Sequence, residues 1–443
     1  MLQIIKNNNY KNTLTFKVLQ LFIVSLFFIA FGITLGSNTL PLSFFLLLML
    51  TMVLLANGWS IAIDNTTKSL FVFFIIAVIS VFYRLLVGTK TGSSFWGDTI
   101  ETKGIKQLIM FFMMVLHFVV LRNILKKYDI KIIQNLLKFF VLICFLVALY
   151  SIYQFFAFRY DWPFTDILRT SKSYSITRGL EDSSWAGLPR ARAFMPEPCF
   201  WGAFLLIPFS LVLPFVFERK KIALWLLLSV FVTALLLTFS RSCWFGCLFI
   251  LVLFVYYKII YEQKIIRTAK IFLIVTAGII LLLTLIVPDK LNLFQRLSAF
   301  SDFSSFERFE MQKRAFQIFL EYPILGVGFG NTPFFLNYIV THNFYLQLLL
   351  ETGIVGFFVF MLFLFQVWIK LKELEKKTCL FYKGEGLRSL ILAIKLAFFS
   401  MLFTWIHLTA YNLSYIWFTL ALITVLSCSY QKTGLFIGEG AKE

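Results

Sequence analysis

The stretch HNFYLQLLLETGIVGFFVFMLFLFQVWI, residues 342–369, is long and apolar enough to cross a lipid bilayer as one helix. Similar runs recur along the chain, whose residues are 60% hydrophobic and 14% charged. A soluble domain has about 25% charged residues. Because backbone groups in lipid must satisfy their own hydrogen bonds, the apolar runs are predicted to be helices. The sequence therefore predicts an all-α polytopic membrane protein, with one integral membrane domain over 1–443.

We predict about twelve transmembrane helices, with both chain ends on the same side of the membrane. The short connections RNILKKYDIK at 122–131 and ERKK at 218–221 are strongly basic, and basic connections face the cytoplasm. The first apolar run is expected to be a span, because no small-residue cleavage site of a signal peptide follows it. The predicted spans are roughly 16–36, 40–57, 70–87, 105–124, 136–157, 194–217, 222–240, 243–260, 270–287, 342–369, 389–408 and 412–429.

The predicted outer face is rich in arginine, whereas the inner connections carry mostly lysine. The orientation of a protein in the membrane depends only on positive charge, which lysine supplies. The planar guanidinium of arginine also binds phosphate through two parallel hydrogen bonds. An anionic, phosphate-bearing ligand is therefore expected outside, the alternative being ion pairs with acids of the outer loops. Nucleic acid is not an expected partner, because the +19 net charge is spread over many membrane connections. The outer arginines are Arg84, Arg159, Arg169, Arg178, Arg190, Arg192, Arg241, Arg296, Arg308 and Arg314.

Two outer loops, at about 158–193 and 288–341, carry most of the polar residues. The first leads into RARAFMPEPCFWGAF, where Arg190 and Arg192 precede Glu197. Prolines on both sides of Glu197 prevent a regular helix there. Irregular backbone at membrane depth must be buried in protein or line a wet cavity. Glu197 is thus expected either to form a salt bridge with one of these arginines or to act as a catalytic or acceptor-binding carboxylate.

The second outer loop is predicted to contain an interfacial amphipathic helix at about 305–321. Apolar side chains recur there at helical spacing, with charges between them. Arg308 and Arg314 fall on nearly opposite sides of this helix. The following GVGFG places Gly326 and Gly328 where alternating glycines could form a backbone nest for an anion.

Arg241 lies in a Ser-Arg-Ser turn between two predicted spans, where it interrupts an otherwise apolar stretch. An ionisable group at such a depth is a functional candidate. The alternative is an arginine whose long side chain reaches the lipid headgroups. No metal or other cofactor is predicted. Cys243 and Cys247 are one helical turn apart, but no second pair or nearby histidine completes a metal site.

His342, one of only three histidines, is expected at the outer start of a span. Either Thr341 or Asn343 can cap that helix, whose first amides make the region mildly positive. Positive surroundings would keep the imidazole neutral, and a neutral imidazole can accept a proton from a hydroxyl group. The alternative is a structural histidine bonded to a loop carbonyl.

Helical spacing places Glu351 half a turn away from His342, so Glu351 is expected to pair within the bundle. Gly353 falls near the His342 face, as does Gly356, and both would let another helix approach closely. His117 and His407 are expected to make only bundle contacts.

The block YPILGVGFGN…THNFYLQLLLETGIVGF, together with the Ser-Arg-Ser turn at 240–242, resembles the O-antigen ligase and O-antigen polymerase superfamily. These are integral membrane glycosyltransferases of the C type. The resemblance is specific over about 190–360, and Gln312 departs from it where the family often has an aromatic residue. The matching positions are Arg308, Pro323, Gly326, Gly328, His342, Asn343, Glu351, Gly353 and Gly356.

The resemblance implies a glycan donor on undecaprenyl diphosphate at the outer leaflet and a sugar hydroxyl as acceptor. It implies an inverting, metal-independent reaction. Arg241 and Arg308 would bind the diphosphate, and His342 would act as general base or orient the acceptor. To these catalytic residues we add expected substrate contacts, which are Arg190, Arg192, Glu197, Arg314, Asn343, Gly326 and Gly328.

Within this superfamily the entry MPEPCF at 195–200 favours a polymerase of lipid-linked repeat units, for O-antigen or capsule. The first alternative is a ligase that transfers the glycan to lipid A core, in lipopolysaccharide synthesis, or to another acceptor. The second is a transporter of lipid-linked glycans, which would show charges within broken spans. The expected location is the bacterial cytoplasmic membrane, with the site facing outward and with a flippase and a chain-length regulator as protein partners.

Overall fold

The computed structural model describes a helical bundle with one small β-hairpin. It describes residues 14–29, 32–35, 38–58, 61–87, 98–164, 189–262, 303–336, 340–381, 385–409 and 411–439. The elements are α1 (Leu14–Ser25), β1 (Gly32–Leu35), β2 (Asn38–Pro41), α2 (Leu42–Ala56), α3 (Asn65–Val87), α4 (Ile100–Leu125), α5 (Ile130–Arg159), α6 (Pro198–Arg219), α7 (Ile222–Leu236), α8 (Arg241–Glu262), α9 (Phe303–Glu321), α10 (Thr332–Phe335), α11 (Phe344–Phe381), α12 (Glu385–Thr404) and α13 (Ser414–Glu439).

Seven of the described helices are long and apolar enough to cross a membrane, namely α3, α4, α5, α6, α8, α11 and α12. Four further predicted spans coincide with the shorter apolar helices α1, α2, α7 and α13. The predicted span at 270–287 lies outside the described residues. The structure therefore supports a polytopic α-helical membrane protein, but it does not support the predicted count of twelve spans.

The first predicted span, 16–36, differs from the structure. The helix α1 ends at Ser25, and Gly32–Leu35 instead pairs antiparallel with Asn38–Pro41, with Gly32 opposite Pro41. The segment GITLGSNTLP explains the change, since glycine favours turns and threonine and isoleucine favour strands.

One end of the bundle gathers the loops that were predicted to face outward, and we refer to it as the site end. There the backbone N–H of Phe344, at the start of α11, donates to the carbonyl oxygen of Trp405, just after α12 (2.8 Å). The N–H of Ala191, ahead of α6, donates to the carbonyl oxygen of Leu237, just after α7 (2.9 Å). These bonds bring segments that are distant in sequence to one surface.

The opposite end is held by an ion cluster centred on Asp64. The Asp64 carboxylate binds the Arg122 guanidinium (2.6 Å) at the end of α4 and the Lys370 ammonium on α11. It also accepts the backbone N–H of Thr67 in the first turn of α3 (3.0 Å). Arg122 is buried, so its charge requires this partner.

The helix α11 is broken at Gly353, whose backbone (φ 64°, ψ −168°) is not helical. The loop at 323–327, which precedes α11 in the sequence, packs into this break. The N–H of Ile354 donates to the carbonyl oxygen of Pro323, and the N–H of Val327 donates to that of Leu350 (both 2.8 Å). A Cβ on Gly353 would lie 2.1 Å from the Ile324 oxygen.

The structure therefore corrects the role expected of Gly353, because loop backbone rather than a neighbouring helix approaches it. At Gly356 a helix does lie alongside. A Cβ there would be 3.4 Å from the side chain of Ile76 on α3.

Phe329 anchors the same loop in the aromatic core. Its ring lies edge-on or tilted against Phe111 (centroids 5.3 Å apart) and Tyr411 (5.7 Å). Phe111 in turn contacts Phe73 (5.3 Å) and Trp417 (5.7 Å). Such aromatic contacts each add about 0.5–1.5 kcal/mol beyond the burial of area. The loop is thus part of the packed bundle and supplies a rigid base for the residues at the site end.

Candidate active site

His342 lies at the site end, two residues before α11, with a left-handed backbone (φ 51°). Its side chain is half-buried. Burial, followed by the nearby positive charge of Arg308, lowers the pKa of His342 to about 4, while the charge of Glu197 acts in the opposite direction. The imidazole is consequently neutral at pH 7, as its positive surroundings predicted.

The residues beside His342 hold the start of the helix. The Asn343 side-chain oxygen accepts the N–H of Leu346 (3.1 Å), which makes Asn343 the cap that the sequence anticipated. The Thr341 hydroxyl donates to the Asn343 carbonyl oxygen (2.8 Å). The side-chain oxygen and the backbone carbonyl oxygen of Asn343 thus both stabilise the start of the helix. The substrate contact that was expected of Asn343 stays a prediction.

Arg308 projects from α9, which occupies the position of the predicted interfacial helix. The buried side chains of Ala315 and Phe319 fix this helix against the bundle, and Ala315 belongs to a small cluster with Leu350 of α11. The Arg308 side chain is exposed, and its charge acts on His342 and His407. Arg308 is therefore an exposed cation whose charge acts on a neutral imidazole.

Arg314 is also exposed on α9, but it is not among the charges that act on His342. Arg314 follows Arg308 by six residues, which places the two side chains about 120° apart around the helix axis.

Arg190 and Glu197 complete the site. The Arg190 Nε–H donates to the Thr238 carbonyl oxygen (2.9 Å), and burial lowers the pKa of this guanidinium, which still remains charged at pH 7. The charges that act on Arg190 include those of Glu197 and Arg308. Glu197 is exposed at the start of α6. We call Arg190, Glu197, Arg308 and His342 the site cluster.

Arg192, which was predicted to contact the substrate, has structural contacts in the loop that precedes α6. Its side chain is buried, with 3% of the residue exposed, and the guanidinium donates to the Pro196 carbonyl oxygen (3.4 Å). Its backbone N–H donates to the Gln154 side-chain oxygen (3.1 Å), which also accepts the N–H of Ala193 (2.9 Å). Arg192 thus shapes the loop that presents Arg190 and Glu197.

Arg241 is the first residue of α8 and is half-buried at the site end. The hydroxyls of Ser240 and Ser242 lie 3.1 Å apart on either side of it. Next in sequence, the Cys243 thiol donates to the carbonyl oxygen of Cys199 (3.5 Å), on the first turn of α6. The Ser-Arg-Ser turn is therefore adjacent to the segment that carries Glu197.

The glycine segment binds a carboxyl side chain of the protein itself. The Glu351 carboxylate accepts the Thr332 hydroxyl (2.7 Å) and the Gln347 amide (2.8 Å). It also accepts backbone hydrogen bonds from Gly330 and Thr332. Glu351 therefore pairs within the bundle, as expected, and ties the loop to α11.

Gly326 and Gly328, which were predicted to contact the substrate, lie in tightly packed positions of this loop. Both have positive φ (69° and 92°). A Cβ on Gly326 would lie 2.4 Å from the Leu350 oxygen, and one on Gly328 would lie 2.7 Å from the Asn331 amide. The N–H of Gly326 donates to the Tyr322 carbonyl oxygen (3.1 Å).

Arg84, expected among the ligand-binding arginines, is buried. Its guanidinium lies over the rings of Tyr322 (4.8 Å) and Phe335 (4.9 Å), and it supports the loop through cation–π contacts. Arg169, Arg178 and Arg296 lie outside the described residues.

His407 was predicted to make only bundle contacts, and the structure places it nearer the site. It follows α12, packs edge-on against Phe403 (5.4 Å), and has its pKa lowered by burial and by Arg308. Its position at the predicted outer end of a span was the available signal. His117, by contrast, is a buried bundle residue whose Nδ1 lies 2.6 Å from the Met113 carbonyl oxygen.

Residues 222–361, from α7 to the middle of α11, match the family model described as O-antigen ligase. This part of the chain is therefore similar to the O-antigen ligase family. It contains Arg241, Arg308 and His342 and agrees with the superfamily that the sequence resembles. No curated protein matches the chain.

The O-antigen ligase segment does not contain the whole site cluster. Arg190 and Glu197 precede it. His407, which is not in the cluster, follows it. The charge of Arg308 acts on Arg190 and on His407, and the charge of Glu197 acts on His342. The site is thus assembled from the matched segment and its flanking helices.

Proposed function

We propose that the protein is a polymerase of lipid-linked oligosaccharide repeat units, acting at the outer face of the bacterial cytoplasmic membrane. Its donor would be a glycan on undecaprenyl diphosphate. The observation that carries the proposal is the neutral His342, on which the charge of Arg308 acts, within a segment that matches the O-antigen ligase family model. A glycosyl transfer from a diphosphate needs both a proton acceptor and a positive charge for the leaving group.

In the proposed reaction, His342 accepts the proton of an acceptor hydroxyl as its oxygen attacks the anomeric carbon. The bond between that carbon and the diphosphate oxygen breaks, and its electron pair leaves with undecaprenyl diphosphate. Attack opposite the leaving group inverts the anomeric configuration. Arg190, Arg241 and Arg308 stabilise the developing negative charge, since guanidinium groups hydrogen-bond phosphate oxygens in pairs.

Glu197 is proposed to contact the acceptor. It is exposed, it lies at the entrance to α6, and its charge reaches both Arg190 and His342. A carboxylate there can accept hydrogen bonds from sugar hydroxyls.

The exposed apolar side chains of α9 support a location at the membrane surface. Phe309, Phe316 and Leu320 lie on one side of this helix, and each is about half exposed or more. An apolar stripe of this kind suits a helix lying at the boundary between lipid and water.

Transport is less well supported than transferase activity. Transporters use broken helices whose free backbone groups bind the cargo. In α11 the groups freed at Gly353 bind the backbone of the 323–327 loop, and the Lys395 ammonium inside α12 pairs with Glu375 (2.5 Å).

The test is a transfer assay with purified protein in lipid nanodiscs. The donor is the lipid-linked repeat unit extracted from the producing strain, and the readout is release of undecaprenyl diphosphate. We expect His342→Ala and Arg308→Gln each to lower the rate by about 100-fold or more. Activity should persist in EDTA. Lys313→Gln removes another exposed cation of α9 and should leave the rate unchanged.

Full activity in both site variants would contradict the assignment. A deletion strain separates the two transferase readings. Loss of a polymerase leaves single repeats attached to their final acceptor, whereas loss of a ligase leaves long chains on the lipid carrier.

A further inference from the structure

A cavity of about 610 Å³ opens between α5, α6, α7 and α12, away from the site cluster. Its walls are mostly apolar. Leu137, Val141, Leu211, Phe215, Leu227 and Leu390 contribute to them. A space of this size and polarity suits hydrocarbon better than a sugar.

The cavity belongs to the opposite end of the bundle. It is lined by Gln134 in the early turns of α5, by Arg219 at the end of α6, by Leu224 in the first turn of α7 and by Gly386 at the start of α12. The lining of α5 extends from Gln134 to Leu142, eight residues or about 12 Å along the helix. One leaflet of the hydrocarbon core is about 15 Å deep, so the cavity spans most of one leaflet.

Two cationic side chains, Lys138 and Arg219, also line the cavity, and both are exposed. The Arg219 guanidinium lies over the Phe215 ring (5.3 Å), which directs it along the cavity wall. Glu218, adjacent in sequence, does not belong to the lining, although its carboxylate lies near Gly386, which does. The charged side chains that line the cavity are therefore both positive, with one carboxylate at its border.

We propose that this cavity binds an anionic glycerophospholipid of the leaflet opposite the site cluster. An acyl chain would occupy the apolar walls, and the phosphate would contact Arg219 and Lys138. Apolar length and positive charge together select this ligand, because the quaternary ammonium of a zwitterionic lipid such as phosphatidylcholine offsets the attraction of its phosphate to the two cations. The proposal is independent of the transferase reaction.

The test uses dioleoylphosphatidylglycerol and dioleoylphosphatidylcholine as probes, added to the purified, delipidated protein. Native mass spectrometry measures how much of each lipid stays bound. We expect the wild-type protein to retain phosphatidylglycerol about tenfold more tightly. The double variant Lys138→Gln/Arg219→Gln should lose this preference. Its matched control, Lys131→Gln/Arg388→Gln, removes two exposed cations at the same end and should keep it.

A second variant tests the apolar part. Gly386 borders the cavity, and a Cβ on it would lie 3.6 Å from the Glu218 carboxylate and 3.8 Å from the Arg219 guanidinium, so a side chain can be accommodated. Gly386→Leu should lower retention of both lipids. Equal binding of the two lipids by the wild type, unchanged preference in the cationic double variant, or unchanged retention in Gly386→Leu would each overturn the proposal.

Discussion

His342 combines three constraints at one residue. Its backbone adopts a left-handed conformation, which is uncommon for a residue other than glycine or asparagine. The Asn343 cap fixes the next residue, and Arg308 holds a positive charge nearby. The imidazole is therefore positioned by its backbone and kept neutral by its surroundings.

The lowered pKa of His342 predicts how activity depends on pH. Its pKa in the folded protein is about 4, below the ordinary 6.5, so the ring binds a proton only as the pH falls through about 4. If the neutral ring is the base, kcat/KM should be constant from about pH 5 to 8 and should fall with a midpoint near 4. A pH–rate profile measures this. His407→Ala should not move that midpoint, and a fall centred near pH 6.5 would contradict the assignment.

At the scale of elements, the break in α11 joins the loop and the helix into one unit. Backbone bonds run in both directions across it, from Val327 to Leu350 and from Ile354 to Pro323. The Glu351 carboxylate adds bonds to Thr332 and Gln347. Since His342 lies two residues before α11 and Arg308 lies on α9, which packs on the same unit, this junction sets the geometry between them.

Gly353→Ala should disrupt this junction. The new Cβ would lie 2.1 Å from the Ile324 oxygen, in a conformation that only glycine readily adopts. We expect a loss of at least about 2 kcal/mol in the free energy of unfolding, measured by thermal unfolding in detergent. Gly386→Ala is the matched control, because its helical position has space for a Cβ, and it should be neutral or slightly stabilising. Equal stability of the two variants would contradict the claim that this junction stabilises the protein.

At the scale of the whole molecule, the two ends of the bundle have different chemistry. The site end carries the arginines and His342 around partly exposed loops. At the opposite end, the ion cluster of Asp64, Arg122 and Lys370 joins α3, α4 and α11.

Asp64 predicts how the stability of the molecule depends on pH. Its burial alone would raise the pKa of Asp64, but the hydrogen bond from Lys370, that from Thr67 and the charge of Arg122 lower it to about 2. This depressed pKa contributes stability that is present above about pH 4 and is lost as the pH falls through about 2. At pH 7, Asp64→Asn should lower the free energy of unfolding by about 1–2 kcal/mol. Asp129→Asn, an exposed acid at the same end, should have no effect in the same unfolding measurement.

Much of the architecture was predictable because local sequence determines it. Each long apolar run must form a helix in lipid, and the described helices coincide with eleven of the predicted spans, seven of them long enough to cross. The cap at Asn343 and the helix at Phe303–Glu321 also depend on nearby residues alone. The hairpin at 32–41 was missed because an apolar run of that length does not distinguish strand from helix.

The sequence by itself thus determined the membrane class and the location of His342, Arg308 and Arg241 in one recognisable block. Tertiary structure alone decided which groups surround them. Arg190 and His407 reach the site from flanking segments, and Glu351 takes the glycine loop's N–H groups. These contacts join residues separated by tens to hundreds of positions, and helical spacing carries no information about what lies across the bundle.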